Sequence, residues 1–369
     1  MNSKKFQTFF DCGSSKIRAG IFNINNKNEV FYDESEFFTD LSYLESKIEK
    51  IITLFEKNTN EYIDNINLMI DSPKMLSIGI SMSKKFYGSK LKKTNIQFLV
   101  QEAKQQILKN YPNHNITHII INNYIIDGID HSYLPGEIKC DFISLNILFL
   151  CLPNDLVLYF KNIYSKFNIS INQIICSSYA KSILYKNNLN LSGHMSYIDV
   201  GFNRTSVISY FNDKITHLDI LPVGGNHITK DISKIFKIDL EQSEQVKRNF
   251  DKNQKFSNDV VISIEELKKI IFARIEEIIE LCTKSIESNS HISEKFKIVL
   301  MGDGAKIFNN QYKDKIFFSN YIDIQEETLE DICQSGFRFL RRPNKQEVVM
   351  VPKKQTKQGF FEKFFHFFR

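Results

Sequence analysis

The sequence predicts an α/β protein built from two similar halves. The segment "QTFFDCGSSKIRAGIFN" near its start returns as "MSYIDVGFNRTSVISYFND" in its middle, so that Asp11 and Gly13 correspond to Asp199 and Gly201. After each copy, helix-like and strand-like segments alternate, which favours helices packed on a central sheet. A repeat spaced by about half the chain indicates two copies of one domain, because solenoid periods are much shorter.

Each copy of the repeat has the pattern of a strand, a tight turn and a second strand. An amphipathic helix, "LSYLESKIEKIITLFEKN", and a strand, "NINLMID", continue the first half. The second half continues with the long helix "SIEELKKIIFARIEEIIELCTKSIE" and the buried strand "FKIVLMG". The two halves are therefore expected to contain equivalent sheets.

One additional segment distinguishes the first half. It contains the helix "TNIQFLVQEAKQQILKNY", has no counterpart in the second half and is predicted to be an inserted subdomain. A polar, proline-broken stretch near the end has the composition of a flexible linker. The predicted division is 1–78 and 154–190 for the first domain, 79–153 for the insert, 191–342 for the second domain, 343–358 for the linker and 359–369 for a terminal helix.

Composition excludes several classes of protein. The 369 residues are 42% hydrophobic and 25% charged, as in a globular chain with more than one core. A net charge of +5, with acids interleaved among the bases, does not indicate nucleic-acid binding. The six cysteines form no CxxC pair, which favours a reducing compartment. Neither a secretory signal nor a segment long enough to span a bilayer is recognisable, so we expect a cytoplasmic protein.

The repeated turns indicate a nucleotide site. A glycine turn lets backbone N–H groups approach phosphate oxygens, and a carboxylate at a strand end can hold a hydrated Mg²⁺ or orient a water. A single Asp-x-Gly is usually an ordinary hairpin turn, but two copies facing each other would clamp a nucleoside triphosphate. We therefore expect ATP and Mg²⁺, with Asp11 and Asp199 near the metal. The residues expected around the phosphates are Gly13, Ser14, Ser15, Lys16, Gly201, Asn203, Arg204 and Thr205.

Three other segments fit the same site. In "VLMGDGAKIF" a strand runs into the turn Gly302-Asp303-Gly304, whose backbone suits contact with adenosine. In "LPVGGNHITKDIS" a helix follows glycines 224 and 225, so its first N–H groups could face phosphate; a plain turn with an N-cap at Asn226 is equally compatible. In "LEQSEQVKRNF" Glu244 and Lys247 share a helical face and could reach ribose and adenine, although a solvated ion pair is the usual explanation. The site residues predicted here are Gly224, Gly225, Asn226, Glu244, Lys247, Gly302, Asp303 and Gly304.

The order of these segments resembles the bacterial cell-division family FtsA, of the actin-like ATPase superfamily. The resemblance covers nearly the whole chain, and "PVGGNHITKDI" and "THIIINNYIIDG" are its most specific pieces. It implies an actin-like fold, in which two ribonuclease-H-like domains surround an ATP cleft and the first domain carries an FtsA-type insert.

The resemblance also implies a function. FtsA polymerises at the cytoplasmic face of the inner membrane at the division site and tethers FtsZ filaments there. The implied partners are the C-terminal peptide of FtsZ, docking on the second domain in the region after "PVGGNH", other copies of the chain, anionic lipid and other divisome proteins.

The chain departs from the family pattern around the nucleotide. Phe202, Asn203 and Arg204 stand where the second phosphate turn is usually rich in glycine and threonine; they would crowd a phosphate, although Arg204 could add a positive charge. The segment "CSSYAKS" has no acid or glutamine where several ATPases of the superfamily orient a water, and Asp303 interrupts the usual glycine run. ATP hydrolysis is therefore expected to be weak or absent.

Two other functions stay open. An actin-fold small-molecule kinase would share both Asp-x-Gly turns, but it would need a carboxylate base in the cleft. Another actin-like scaffold, such as a pilus-assembly adaptor or a rod-shape filament, is a third interpretation.

The last ten residues, "FFEKFFHFFR", are predicted to form an amphipathic helix. At ~100° per residue all of its phenylalanines fall within an arc of roughly 160°, and paired phenylalanines do not alternate as a strand requires. A helix of about 15 Å cannot cross a bilayer, so it should lie in the membrane interface. A helix docked on its own domain is the alternative. The predicted membrane residues are Phe360, Phe361, Phe364, Phe365, Phe367 and Phe368.

Overall fold

A computed structural model gives the fold of most of the chain. The described residues are 5–26, 30–38, 40–136, 138–189, 193–211, 214–250, 262–289, 296–307 and 322–342. The predicted linker, 343–358, and the predicted terminal helix, 359–369, lie outside these ranges.

The described elements alternate between strands and helices as the sequence predicts. The strands are β1 (Phe6–Cys12), β2 (Ile17–Asn23), β3 (Val30–Glu34), β4 (Asn65–Met69), β5 (Leu76–Leu91), β6 (His114–Ile126), β7 (Ile129–His131), β8 (Ile138–Pro153), β9 (Ser170–Ile175), β10 (His194–Val200), β11 (Thr205–Phe211), β12 (Lys214–Leu221), β13 (Lys297–Met301) and β14 (Ile322–Ile324). The helices are α1 (Leu44–Thr59), α2 (Lys93–Asn110), α3 (Asn154–Ser165), α4 (Ser177–Leu189), α5 (Gly225–Phe236), α6 (Leu240–Arg248), α7 (Ile264–Asn289) and α8 (Leu329–Arg341).

The two halves contain equivalent sheets. The first has the strand order β3-β2-β1-β4-β9 and the second β12-β11-β10-β13-β14. In the first, Asp11 pairs in register with Arg18 across the β1–β2 hairpin and with Met69 on the parallel strand β4. In the second, Asp199 has the same place, in register with Ser206 on β11 and with Met301 on β13. The repeat found in the sequence is thus a repeat of topology and register.

The predicted insert forms a separate layer between β4 and β9. Its strands make an antiparallel sheet in the order β5-β8-β6-β7, and α2 packs against β5. It has its own hydrophobic core, in which the side chains of Phe149, Leu145 and Ile143 are fully buried. The sequence placed its start at residue 79, whereas β5 begins at Leu76, because its pairing with β8 extends from there to Leu91.

Helix α7 shows why the second half folds as it does. Its apolar residues recur every three or four positions, the spacing that puts them on one helical face. The fully buried members of this face are Leu267, Ile271, Ile275, Ile278 and Cys282. This face, together with α5, covers the second sheet and completes its core.

The last described helix, α8, returns to the first half. It packs against β1, β2, β3 and α4, and the ring of Phe337 stacks on that of Phe22 with their centroids 4.3 Å apart. The helix passes so close to the sheet that a Cβ atom at Gly336 would collide with the side chains of Met69 and Phe9. The sequence division put this helix in the second domain, at the end of 191–342; the structure places it on the first sheet, so the chain crosses between the halves a second time.

Two further expectations concern cysteines and membranes. All six cysteines are buried and free, as the absence of paired spacings suggested. Within the described ranges, no helix combines the length and the apolar composition needed to cross a bilayer.

Candidate functional site

A cavity of about 530 Å³ lies where the two halves meet. This volume is in the range of small-molecule sites in proteins. The cavity is bordered by the turns after β1 and β10, the ends of β4 and β13, and parts of α4 and α6. The predicted residues that line it are Asp11, Gly13, Ser14, Ser15, Lys16, Asp199, Gly201, Asn203, Arg204, Gly225, Glu244, Lys247, Gly302, Asp303 and Gly304. Thr205, Gly224 and Asn226, also predicted, are not among the lining residues.

The two turns have the same backbone geometry. In the first, the N–H of Gly13 donates to the carbonyl oxygen of Lys16 at 3.0 Å. In the second, the N–H of Gly201 donates to the carbonyl oxygen of Arg204 at 2.9 Å. Each turn therefore presents two central residues at its tip, facing the cavity.

The turn tips offer donors for an anion. In the part of the chain that the structure describes, no protein acceptor is bonded to the backbone N–H of Ser14, Ser15 or Asn203. All three residues line the cavity. Clustered N–H groups of this kind form concave sites for phosphate oxygens.

The N-terminus of α5 supports the second turn instead of facing the cavity. The N–H of Gly225 donates to the carbonyl oxygen of Gly201 at 3.0 Å, and that of Asn226 to the carbonyl oxygen of Phe202 at 2.7 Å. The N–H groups that the sequence suggested for phosphate are therefore already used. Gly224 is needed because a Cβ atom there would lie 2.6 Å from the carbonyl oxygen of Gly201.

Arg204 is directed to buried carboxylates. Its Nη2 donates to Asp199 Oδ2 at 2.9 Å and also to Asp71, while its Nη1 donates to the carbonyl oxygen of Asp199 at 3.0 Å. The side chains of Asp71 and Asp199 are only 1% exposed. Burial alone would raise the pKa of Asp199, but Arg204 and Lys181 outweigh it and hold the pKa well below its ordinary value. The guanidinium group that the sequence suggested for a phosphate thus pairs with carboxylates of the protein.

Lys181, on α4, joins the same cluster. Its Nζ lies 2.9 Å from Asp199 Oδ2 and 3.1 Å from Glu327 Oε1. The Glu327 side chain is 2% exposed, and burial raises its pKa to about 7, against the opposing attraction of Lys181. Lys181 thereby connects the end of β10 to the segment that leads into α8.

Arg18 makes a crossed counterpart to Arg204. It pairs with Asp303, and its Nη1 lies 3.9 Å from Asp11 Oδ2. Asp303 and Asp71 are equivalent by register, since each lies two residues beyond the methionine that pairs with Asp199 or Asp11. An arginine of each half therefore pairs with the equivalent aspartate of the other half, across the cleft.

Phe202 lines the cavity and also contacts the first half. Its ring meets that of Phe37, in the first half, edge to face at 5.5 Å, and the Arg248 guanidinium lies 4.0 Å from the Phe37 centroid. The side chain thus adds an apolar contact between the halves, and its effect on a phosphate stays a prediction.

Glu244 and Lys247 form a buried ion pair. Lys247 donates to Glu244, to Thr229 Oγ1 at 2.9 Å and to the carbonyl oxygen of Gly225 at 3.0 Å. The second oxygen of Glu244 accepts from Arg248 at 2.8 Å. The pair is thus internal, not solvated, and it lines the cavity; its contact with ribose and adenine stays a prediction.

The residues present do not fit a magnesium ion between Asp11 and Asp199. Mg²⁺ in a nucleotide site is usually held by one or two carboxylates together with waters and substrate phosphates, so at least one carboxylate must be free to bind it. Asp199 already holds two cations, and Asp11 Oδ1 accepts a hydrogen bond from Ser177 Oγ at 2.6 Å. Within the described residues no group of three or more His, Cys, Asp or Glu side chains is arranged to hold a metal.

Several cleft residues escaped sequence reasoning: Arg18, Asp71, Ser177, Lys181 and Glu327. Asp71 could have been found from the sequence. It follows the strand "NINLM" as Asp303 follows the strand "KIVLM", so an alignment of the two repeats beyond the first hairpin would have matched these aspartates.

Comparison with known proteins supports one family. A model of the cell division protein FtsA family matches residues 196–307. FtsA of Streptococcus pneumoniae serotype 2 is 22% identical over 333 residues, which cover 83% of this chain and 72% of that protein. The resemblance to FtsA is confirmed.

Solved structures agree on the fold of this FtsA-like chain. A chain of the PilM–PilN type IV pilus biogenesis complex superposes with a TM-score of 0.61 at 11% identity, covering 90% of this chain and 95% of that one. MreB5 of Spiroplasma citri, solved bound to ADP, gives 0.52 at 13% identity, covering 92% and 97%. The predicted actin-like ATPase fold is confirmed.

The titration of Glu327 gives a prediction for stability. Its folded pKa, about 7, lies above the ordinary value of 4.5, so the folded protein binds more protons than the unfolded chain between these values. The free energy of unfolding should therefore fall as pH rises through this window. Glu327→Gln should remove that part of the fall, as measured by urea unfolding across about pH 5 to 8. Glu326→Gln, at its exposed neighbour, is the control, and a Glu327→Gln profile parallel to wild type would contradict the assignment.

Proposed function

We propose that the chain is an ATP-binding, actin-like cell-division protein that polymerises at the cytoplasmic face of the inner membrane and tethers FtsZ filaments to it. The observation that carries the nucleotide part is the pair of equivalent turns whose tip residues line one cavity. The resemblance to FtsA and the actin-like fold support the cell-division part.

The phosphates would lie between the turn tips. The N–H groups of Ser14 and Ser15 approach from the first half and that of Asn203 from the second, so that an anion placed there is bound by both. Gly302 and Gly304 would lie along the adenosine, because glycine lets the backbone come close. Glu244 and Lys247 also line the cavity.

Hydrolysis is not favoured by this arrangement. Glu327 is the buried carboxylate that would best suit a general base. However, Lys181 lies within 3.2 Å of both of its oxygens. A carboxylate held in this way is poorly placed to accept a proton from water or from a substrate hydroxyl. ATP would therefore act as a bound ligand that favours assembly.

A kinase is the second candidate, and Glu327 is the observation that favours it. Displacement of Lys181 would free Glu327 to accept the proton of an acceptor hydroxyl, and burial would keep the pKa of Glu327 above its ordinary value. Phosphate transfer from labelled ATP to a small-molecule pool, lost in Glu327→Gln, would favour the kinase over the scaffold.

Nucleotide binding is tested by Ser15→Glu. A carboxylate at the first turn tip should repel the phosphates and weaken ATP binding by about tenfold or more, as measured by isothermal titration calorimetry. The matched control is Ser132→Glu, in an exposed turn of the insert. Equal ATP affinity in both variants would refute the placement of the phosphates.

Self-association is expected from the family resemblance. Subunits of the actin-like kind would stack through the ends of the two domains. The average particle mass of the protein, measured by light scattering, should increase with protein concentration when ATP and anionic vesicles are present. A chain that remains monomeric at high concentration under these conditions would refute polymerisation.

The partner expected in the cell is FtsZ. Its C-terminal peptide is proposed to dock on the second domain, in the region of α5 that follows the second phosphate turn, as the resemblance implies. Immobilised chain should retain intact FtsZ and lose FtsZ that lacks this peptide. Equal retention of the two forms would contradict the proposed dock.

The membrane anchor is proposed from the sequence of residues 359–369, which lie outside the described residues. Its phenylalanines would enter the acyl chains, each contributing roughly 1.5–3 kcal/mol when fully buried. Nearby basic residues would add on the order of 1 kcal/mol each on anionic lipid. These are Lys353, Lys354, Lys357, Lys363 and Arg369. One helix would hold weakly, and a polymer that carries many would hold firmly.

Replacing Phe364 and Phe365 by Glu should release the protein from anionic vesicles, because two carboxylates would have to enter the acyl region. We expect more than about a tenfold loss in vesicle partitioning, measured by co-sedimentation, with ATP binding unchanged. The control replaces Tyr62 and Tyr87, which are 93% and 81% exposed, by Glu. Unchanged co-sedimentation of the tail variant would refute the proposed membrane anchor.

A further inference from the structure

We propose that the cleft binds its nucleotide without a divalent cation, because Arg204 and Lys181 already neutralise the carboxylates that would otherwise need one. The inference rests on the proposed nucleotide binding and concerns which charges accompany the nucleotide. Two single positive charges of the chain would stand in place of the double charge of Mg²⁺.

Two cations of the protein hold one carboxylate oxygen of Asp199. Its Oδ2 lies 2.9 Å from Arg204 Nη2 and 2.9 Å from Lys181 Nζ, and its carbonyl oxygen accepts from Arg204 Nη1 at 3.0 Å. On its other side, Gly302 packs so closely that a Cβ atom there would collide with Asp199 Oδ1. A metal ion could bind Asp199 Oδ2 only after both cations had moved.

Asp71 is engaged to the same degree. Its Oδ2 accepts from Arg204 and from the N–H of Ser178 at 2.9 Å, and its Oδ1 accepts from Cys176 Sγ at 3.0 Å. One arginine therefore bridges the carboxylates of the two halves, and both of these carboxylates lie out of reach of solvent.

Displacing the bridge would be unfavourable. Moving Arg204 to admit a metal would leave a guanidinium without its buried partners, and removing one member of a buried pair is strongly destabilising. The ion would also have to surrender some of its strongly held water to the site. Asp11 is the remaining acid at the metal position; its Oδ1 accepts a hydrogen bond from Ser177 Oγ, and its Oδ2 lies 3.9 Å from Arg18 Nη1.

The lining charges leave room for a phosphate chain. Among the described residues, seven basic and six acidic side chains border the cavity. The bases are Lys16, Arg18, Lys181, Arg204, Lys247, Arg248 and Lys306, and the acids are Asp11, Asp71, Asp199, Glu244, Asp303 and Glu327. With the acids matched by bases, the N–H groups at the turn tips remain to bind phosphate oxygens without a metal bridge.

The proposal is tested by measuring ATP binding to the full chain by isothermal titration calorimetry, once with magnesium chloride and once with EDTA. We expect dissociation constants that agree within about threefold. Binding that weakens about tenfold or more in EDTA would overturn the metal-free site while leaving the nucleotide function in place. Binding in neither buffer would overturn the nucleotide function, and this inference with it.

Arg204→Thr tests the bridge itself. By freeing Asp71 and Asp199 it should create a magnesium requirement, seen as a loss of about tenfold or more in EDTA. Arg204→Lys keeps one charge and should remain independent of the metal. Arg274→Thr is the matched control, since Arg274 also pairs with two carboxylates, Asp231 and Glu277, and does not line the cavity. Metal independence in Arg204→Thr would refute the role of the bridge.

A direct metal titration covers the case in which Arg204→Thr does not fold. Mn²⁺ added to nucleotide-free wild type should keep its free paramagnetic resonance signal. Stoichiometric loss of that signal, restored by Asp199→Asn, would show a metal at the cleft and overturn the proposal.

Discussion

The two halves of this protein are joined by charged side chains that cross the cleft, and most of these side chains are buried. Arg204 holds Asp199 of its own half and Asp71 of the other, Arg18 pairs with Asp303, and Lys181 connects Asp199 to Glu327. Such pairs contribute little net stability compared with apolar packing, but breaking one leaves an uncompensated charge. The relative placement of the halves therefore depends on this network, and so does the shape of the cavity between them.

The network has a consequence for how the cleft can work. In a nucleotide-driven switch, the ligand supplies contacts that one conformation has and the other lacks. Here the chain supplies a set of cross-cleft contacts by itself, including the Phe37–Phe202 edge contact and the Arg248–Phe37 stack. A nucleotide would add the N–H contacts of the turn tips to a cleft already held by its own residues. This arrangement suits a scaffold that keeps one form better than a fast enzyme that opens and closes on each cycle.

The fold, the family resemblance and the proposed cell-division role rest on different kinds of observation. Superposition on the PilM and MreB5 chains rests on architecture, since their identities to this chain are 11% and 13%. The FtsA resemblance is carried by sequence, most strongly in residues 196–307, which contain the second turn, α5, α6 and the strand before Gly302. The proposed membrane anchor and the proposed FtsZ-binding region rest on the terminal sequence and on the resemblance.

The sequence by itself determined the duplicated topology, because hairpins and helices are specified by local patterns. The run that ends in Asp11 and its copy that ends in Asp199, the spacing along α7, and the glycines of both turns are all readable from neighbouring residues. Tertiary structure alone decided what those turns contact. Lys181 and Glu327 lie 146 positions apart, and a bond between them leaves no periodic trace in the chain. The direction of Arg204 was likewise undetermined, since a long side chain at a turn can reach either a phosphate or a buried carboxylate. Asp199 in its own half and Asp71 at the edge of the other half together direct Arg204 to carboxylates, and Asp71 comes into reach only because the two halves fold together.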